Sequence, residues 1–242
     1  MQRVASRGSV LGLLFVPLML IVSCMAISAV WNQLFGRGGE GYWEFFLYVY
    51  ISFVIWVYIG DLVNGGSSCL IRNSIYGTTS NDPAVLYIFQ ESLNATLGFI
   101  LKLPFLIIVF VLLAGLPSLQ GLLLFCFGIA LIFLSGLGFG MIMGAYCLFY
   151  MDLRELTAAV MRVAFLLTPI IWQVERLGEY QKYILFNPFY SYLSICRDSL
   201  LIGQVGYREM AIATVCTLFL LLLGCVTLAR NEVAIKKAFF RI

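Results

Sequence analysis

Long apolar runs, each near the length that crosses a bilayer, recur from one end of this sequence to the other with few charges between them. They cover residues 10–31, 42–63, 93–115, 121–148 and 210–229. A hydrocarbon core ~30 Å thick takes about 20 helical residues at 1.5 Å each. Backbone in lipid must satisfy its own hydrogen bonds, so runs of this length read as helices. A soluble fold is excluded by composition: hydrophobic residues make up 62% of the 242, charged residues 11%, and mean hydropathy is +0.99. Soluble domains carry about 25% charged residues. The expectation is an all-α membrane protein forming a single transmembrane domain over residues 1–242.

The first run follows Arg3 and Arg7 and so imitates a signal peptide. Its apolar length of about 22 residues exceeds the ~7–15 of a signal core, and it reads as a retained span. A fifth crossing is expected over 156–172. Its clean apolar part, 163–172, is too short to cross alone, so it begins inside a helix started near Leu156, and Pro169 kinks or ends it. The stretch 173–209 is polar at both ends and carries Asn187-Pro188 and Arg197-Asp198 in its middle. Re-entrant or interfacial helices fit it, because irregular backbone at membrane depth must be buried in protein or line water. The expected architecture is six transmembrane helices with outer re-entrant helices between spans 5 and 6.

Lys and Arg set the orientation. With the N-terminus inside, the inner segments carry Arg3, Arg7, Arg72, Arg154, Arg162, Arg230, Lys236, Lys237 and Arg241. The outer segments carry only Arg37, Arg176, Lys182, Arg197 and Arg208. Both termini are expected in the cytoplasm, and the protein in the cytoplasmic (inner) membrane.

Several chemistries are missing from the sequence. There is no His, which removes the commonest general base and transition-metal ligand. No metal site and no catalytic residue are expected. No phosphate loop of the form G-x-x-x-x-G-K-[ST] occurs, so ATP must be bound by another chain. No basic run suits nucleic acid. The Cys residues form no CxxC pair, and no two share the oxidising side outside the spans, so no intrachain disulfide is expected.

Other residues admit two readings each. Gly136, Gly140 and Gly144 form a small-residue ridge that lets a helix approach closely, either within the chain or in a second copy. Lys102 either snorkels to the inner interface or faces a pathway or a paired acid; Glu91 reaches it only through a bent geometry. The aromatics near the ends of the second run are interface anchors, whereas Tyr50 and Trp56 sit deeper, and aromatic faces stack on sugar rings. Asp152, Arg154 and Glu155 form either a solvated inner loop or a docking helix for a cytoplasmic partner.

Four stretches carry a family resemblance. Arg7-Gly8-Ser9-Val10-Leu11-Gly12 resembles the R-x-S-x-L-G that opens the first span of type-2 ABC exporter permeases in the branch moving O-antigen, capsule or teichoic-acid polymers. Tyr150-Met151-Asp152-Leu153 resembles the Y-x-D-L of its inner loop. Leu167-Thr168-Pro169-Ile170-Ile171-Trp172 is similar to its fifth-span end. Asn187-Pro188, eight residues and then Arg197 are similar to its N-P-x8-R signature. The likeness runs through nearly the whole chain in order. It departs at the start, where the branch has an amphipathic interfacial helix of a few dozen residues before the first span and this sequence has only residues 1–9; either that helix is absent or the chain begins at an internal Met. Phe15 stands where the branch has Trp.

The resemblance implies a homodimer with two copies of a cytoplasmic ABC ATPase subunit docked below it. The ATPase-docking elements would be segments 74–82 and 152–156, with Ser74, Tyr76, Asp82, Asp152, Arg154 and Glu155. It implies no cofactor in this chain, with ATP and Mg on the partner subunit. The substrate would be a lipid-linked glycan taken from the inner side, and membrane lipid would surround the spans. Asn187, Pro188 and Arg197 would shape the outer end of the path, and Tyr50, Trp56 and Lys102 are candidates to line it. A drug or antibiotic exporter shares the six-span plan. A membrane-embedded enzyme or assembly factor is the alternative outside transport, and the lack of His and of clustered carboxylates counts against an enzyme.

Overall fold

The computed structural model describes residues 10–34, 41–74, 82–184 and 187–239. All regular elements among these residues are helical: α1 (Val10–Leu34), α2 (Tyr42–Arg72), α3 (Ala84–Ile100), α4 (Leu103–Ala114), α5 (Leu119–Phe149), α6 (Asp152–Leu167), a 3-10 segment (Val174–Tyr180), α7 (Gln181–Ile184), α8 (Pro188–Leu201) and α9 (Tyr207–Phe239). Five stretches have the length and apolarity to cross a membrane: Phe15–Leu34, Tyr42–Arg72, Ala84–Ala114, Leu119–Phe149 and Tyr207–Phe239.

Helix boundaries follow from local chemistry. Pro104 lacks an N–H and its ring crowds the carbonyl four residues back. The third span is therefore a pair, α3 and α4, broken at Leu101–Lys102, with Lys102 N donating to Phe99 O at 2.8 Å. It starts at Ala84, ahead of the 93 expected, so Gln90, Glu91 and Asn94 lie on the helix. Gly115 takes φ +82° to end α4, and Ser118 caps α5, its Oγ accepting from Gly121 N at 3.0 Å. The fifth helix covers 152–167 and not 156–172. Asp152 and Glu155 in its first turn suit the positive end of the helix dipole. Thr168, ahead of Pro169, is forced out of the α region to φ −97°, ψ 137°. The last helix also exceeds the 210–229 expected: Arg230, Lys236 and Lys237 are helical, and Phe239 is buried against Tyr87.

Small residues fix the packing. A Cβ at Gly136 would meet Leu62 and one at Gly140 the Cα of Gly66; one at Gly144 would meet Gly66 O, 3.1 Å away. So α5 lies against α2 with both chains running the same way. On its other side, Gly138 faces the Leu220 backbone and Gly224 faces Gly138 O, which makes α9 parallel to α5 as well. Between apolar helices in apolar solvent, such close approach rather than hydrophobic burial holds the bundle. Here "lower" denotes the end at which α2, α5 and α9 finish. Contacts of Tyr58 with Thr96 and Phe99 set α3 antiparallel to α2. The main core surrounds α2, whose Tyr50, Ile51, Ile55 and Tyr58 are fully buried. A second cluster at the lower end joins Leu70, Ile88, Ala145, Ile235 and Phe239.

Candidate functional site

Irregular backbone inside the bundle marks the most constrained place in the molecule. Helix α6 runs antiparallel to α2, with Phe165 against Phe53 and Trp56, and stops at Leu167. Helix α8 runs antiparallel to α5: Cys196 faces Gly128, and Ser199 O faces Gly121 at the upper end. Its first residues, Pro188 and Phe189, share a cavity wall with Ser135 and Gly136 in the middle of α5. The α6 end and the α8 start therefore meet within the bundle, with residues 168–187 between them.

One side chain joins the two ends. Asn187 Oδ1 accepts from Phe189 N at 3.0 Å, capping α8, and Pro188 sits at its first turn, where a missing N–H costs nothing. Asn187 Nδ2 donates to Thr168 Oγ1 at 2.9 Å and to Leu167 O at 3.4 Å, closing the end of α6.

The carbonyls of the break are also answered, as they must be away from water. Pro169 O accepts from Tyr48 Oη and from Arg197 Nη1, both at 3.1 Å. Trp172 O accepts from Tyr48 Oη at 3.0 Å, and Leu166 O from Trp172 Nε1 at 3.2 Å. Arg197 is 3% exposed. Its Nε donates to Asp198 Oδ1 at 2.8 Å, and its guanidinium lies 4.2 Å over the Tyr48 ring. Ser194 Oγ donates to the other Asp198 oxygen at 2.6 Å. This is a polar lock that holds a broken helix in register. It positions no nucleophile or general base, and among the described residues no group of three His, Cys, Asp or Glu could hold a metal ion.

The other sequence-selected residues lie elsewhere. Tyr50 is buried in the core, stacked on Phe46, and Trp56 is buried between Phe165 and Phe189, so in the single chain neither lines an open surface. Gly136, Gly140 and Gly144 face α2 and α3 of the same chain. Asp82, Asp152, Arg154 and Glu155 are exposed at the lower end, with Arg154 and Glu155 4.0 Å apart; Ser74 is buried there, and Tyr76 lies outside the described residues.

Lys102 is buried and pairs with Asp61 of α2, Nζ to Oδ2 3.4 Å; Glu91 pairs instead with Arg72. Asp61 was not singled out from the sequence, since nothing local in an apolar run tells which face meets the next span. Tyr48 was noted only as an aromatic, and its contacts are 121 and 124 residues away. Replacing Lys102 with Met strands the Asp61 carboxylate at membrane depth. In detergent unfolding, the single variant is expected to lose about 1–3 kcal/mol more than additivity with Asp61→Asn allows, the double variant recovering that amount. Strictly additive losses would show that the two charges are not coupled.

Residues 79–201, from just before α3 to the end of α8, match the profile of the ABC-2 type transporter family. No curated protein matches the chain.

Proposed function

The chain belongs to the ABC-2 type transporter family, and from that membership we propose that it is the membrane subunit of an ATP-driven exporter that moves a lipid-linked polysaccharide across the cytoplasmic membrane. Two copies form the pathway, and two copies of a separate P-loop ATPase dock at the lower end. The lower end is then cytoplasmic, in keeping with the Lys and Arg distribution. The exposed Asp82, Asp152, Arg154 and Glu155 at that end supply a docking surface. The sixth crossing is made in two pieces, α6 from below and α8 above it: α5 and α9 run in the same direction, and these two helices lie between them in the chain.

The observation that carries the polysaccharide reading is the lock around Asn187, Pro188 and Arg197. In this reading ATP-driven closure of the ATPase pushes α6 from below, and the break at Thr168 passes the push to α8 at the outer mouth. The test is co-expression with the P-loop ATPase encoded beside it, reconstitution together, and titration with a polyprenyl-linked glycan. Stimulated ATP hydrolysis is expected. Stimulation by amphiphilic drugs and not by the glycan would replace this reading with a drug exporter.

Docking makes a separate prediction. Asp152→Lys and Arg154→Glu are expected to abolish substrate-stimulated hydrolysis while leaving the yield and unfolding temperature of the chain unchanged, because both side chains are solvated and exposed pairs contribute about 0–1 kcal/mol. Full coupling in both variants would remove α6 from the docking surface.

A further inference from the structure

A cavity of about 460 Å³ lies below the start of α8, walled by α2, α5, α6 and α9. It falls within the ~300–1,000 Å³ range of small-molecule sites. Leu62 and Phe139 form its floor, Phe189 its roof, and Leu156, Val160 and Phe219 its rim. All three rim residues are more than half exposed, so the slot is open sideways between α6 and α9. Along α5 it reaches from Ile132 to Met143, about 16 Å at 1.5 Å per residue, from the middle of the helix toward the lower end.

The lining decides what enters. Three polar residues face it, and each has its hydroxyl committed within the protein: Ser135 to Ile132 O at 3.0 Å, Thr157 to Leu153 O at 2.7 Å, and Tyr192 to Ala213 O at 3.2 Å. A water would find none of the two to four partners it needs there. A headgroup or sugar would find no donor or charge. The medium at the mouth is hydrocarbon, and apolar cavities about a third of this size already bind hydrocarbon ligands.

We propose that this slot binds one hydrocarbon tail, taken sideways from the bilayer, which lies along α5 beneath Pro188 and Phe189. The tail supports the first turn of α8 from below and so bears on the same helix as the Asn187 joint. The site requires only that the chain sits in a membrane. It does not depend on the polysaccharide reading, whose failure is read separately in the ATPase titration.

The test is native mass spectrometry of the full chain after exhaustive detergent exchange, starting from bilayers of phosphatidylethanolamine and phosphatidylglycerol with or without polyprenyl phosphate. Wild type is expected to retain one tail-bearing lipid per chain. A retained diacyl phospholipid makes the bilayer the source; a retained polyprenyl phosphate makes it the carrier; either supports the site. Val160→Trp and Phe219→Trp, each filling the rim, are expected to lose the adduct. Each excluded methylene weakens binding about fourfold, so four cost ~10²-fold. Leu218→Trp, on the lipid side of α9 and outside the slot, is expected to keep it. Wild type without a retained lipid, or equal retention in all three variants, overturns the proposal.

Discussion

Arg197→Ala is expected to destabilise the chain by about 3–5 kcal/mol, the cost of breaking a buried ion pair by removing one partner. The change leaves Asp198 without its cation and takes one of two donors from Pro169 O. It also removes the cation from above the Tyr48 ring. Arg197→Lys should recover only part of this. An ammonium is a compact point charge, and it cannot span Asp198 and Pro169 O with the planar fork that a guanidinium offers. Arg197→Met with Asp198→Ala should be less damaging than Arg197→Ala alone, since no charge is then left unpaired. Detergent unfolding curves of the four proteins check the order. An Arg197→Ala curve that overlays wild type would show that the lock does not hold the break. In the proposed exporter the same variant abolishes transport even where some folded protein survives, because α6 and α8 lose their register.

Gly138→Leu is expected to be the most damaging of the glycine changes. A Cβ there would stand 2.6 Å from the Leu220 carbonyl carbon and 2.7 Å from its oxygen. Those are backbone atoms of α9, and they cannot yield without moving the helix. Over-packing of this kind costs about 1–3 kcal/mol and sometimes more. It also parts α9 from α5 along the contact on which Gly224 depends. Gly136→Ala should cost less, because the atoms it meets belong to the Leu62 side chain, and Gly98→Leu should be nearly silent, with nothing within 4 Å of its Cβ position. The ordering Gly138, Gly136, Gly98 is checked by folded yield and unfolding temperature. Equal losses at all three would mean that helix propensity, and not interhelical approach, sets the effect.

What the sequence reveals here is what local chemistry decides. Pro169 and the residue before it end α6, and Asn187-Pro188 starts α8 with a capping side chain and a proline in the first turn. Both can be read from neighbours in the chain. The partners of Lys102 and Arg197 divide on the same ground. Asp198 is adjacent in sequence and was in view. Asp61 and Tyr48 belong to α2, and their contacts depend on which faces of long, uniformly apolar helices meet. The glycine ridge shows why such faces are illegible: Gly136 and Gly138 lie two residues apart and pack on different helices. The lower part of α3 was missed for another reason. Gln90, Glu91 and Asn94 depress its apolar signal, yet Glu91 is balanced by Arg72.

The shared cap at Asn187 has a mechanical consequence. A continuous helix bends only by giving up backbone hydrogen bonds along its axis, each costly away from water. Here two rigid rods abut at an articulated joint. Its angle is set by three contacts from a single amide, to Phe189 N, Thr168 Oγ1 and Leu167 O. Tilting one rod against the other exchanges side-chain bonds worth about 1 kcal/mol each and leaves both rods intact. The joint is therefore soft in angle and stiff in length, which suits a strut that must swivel under load.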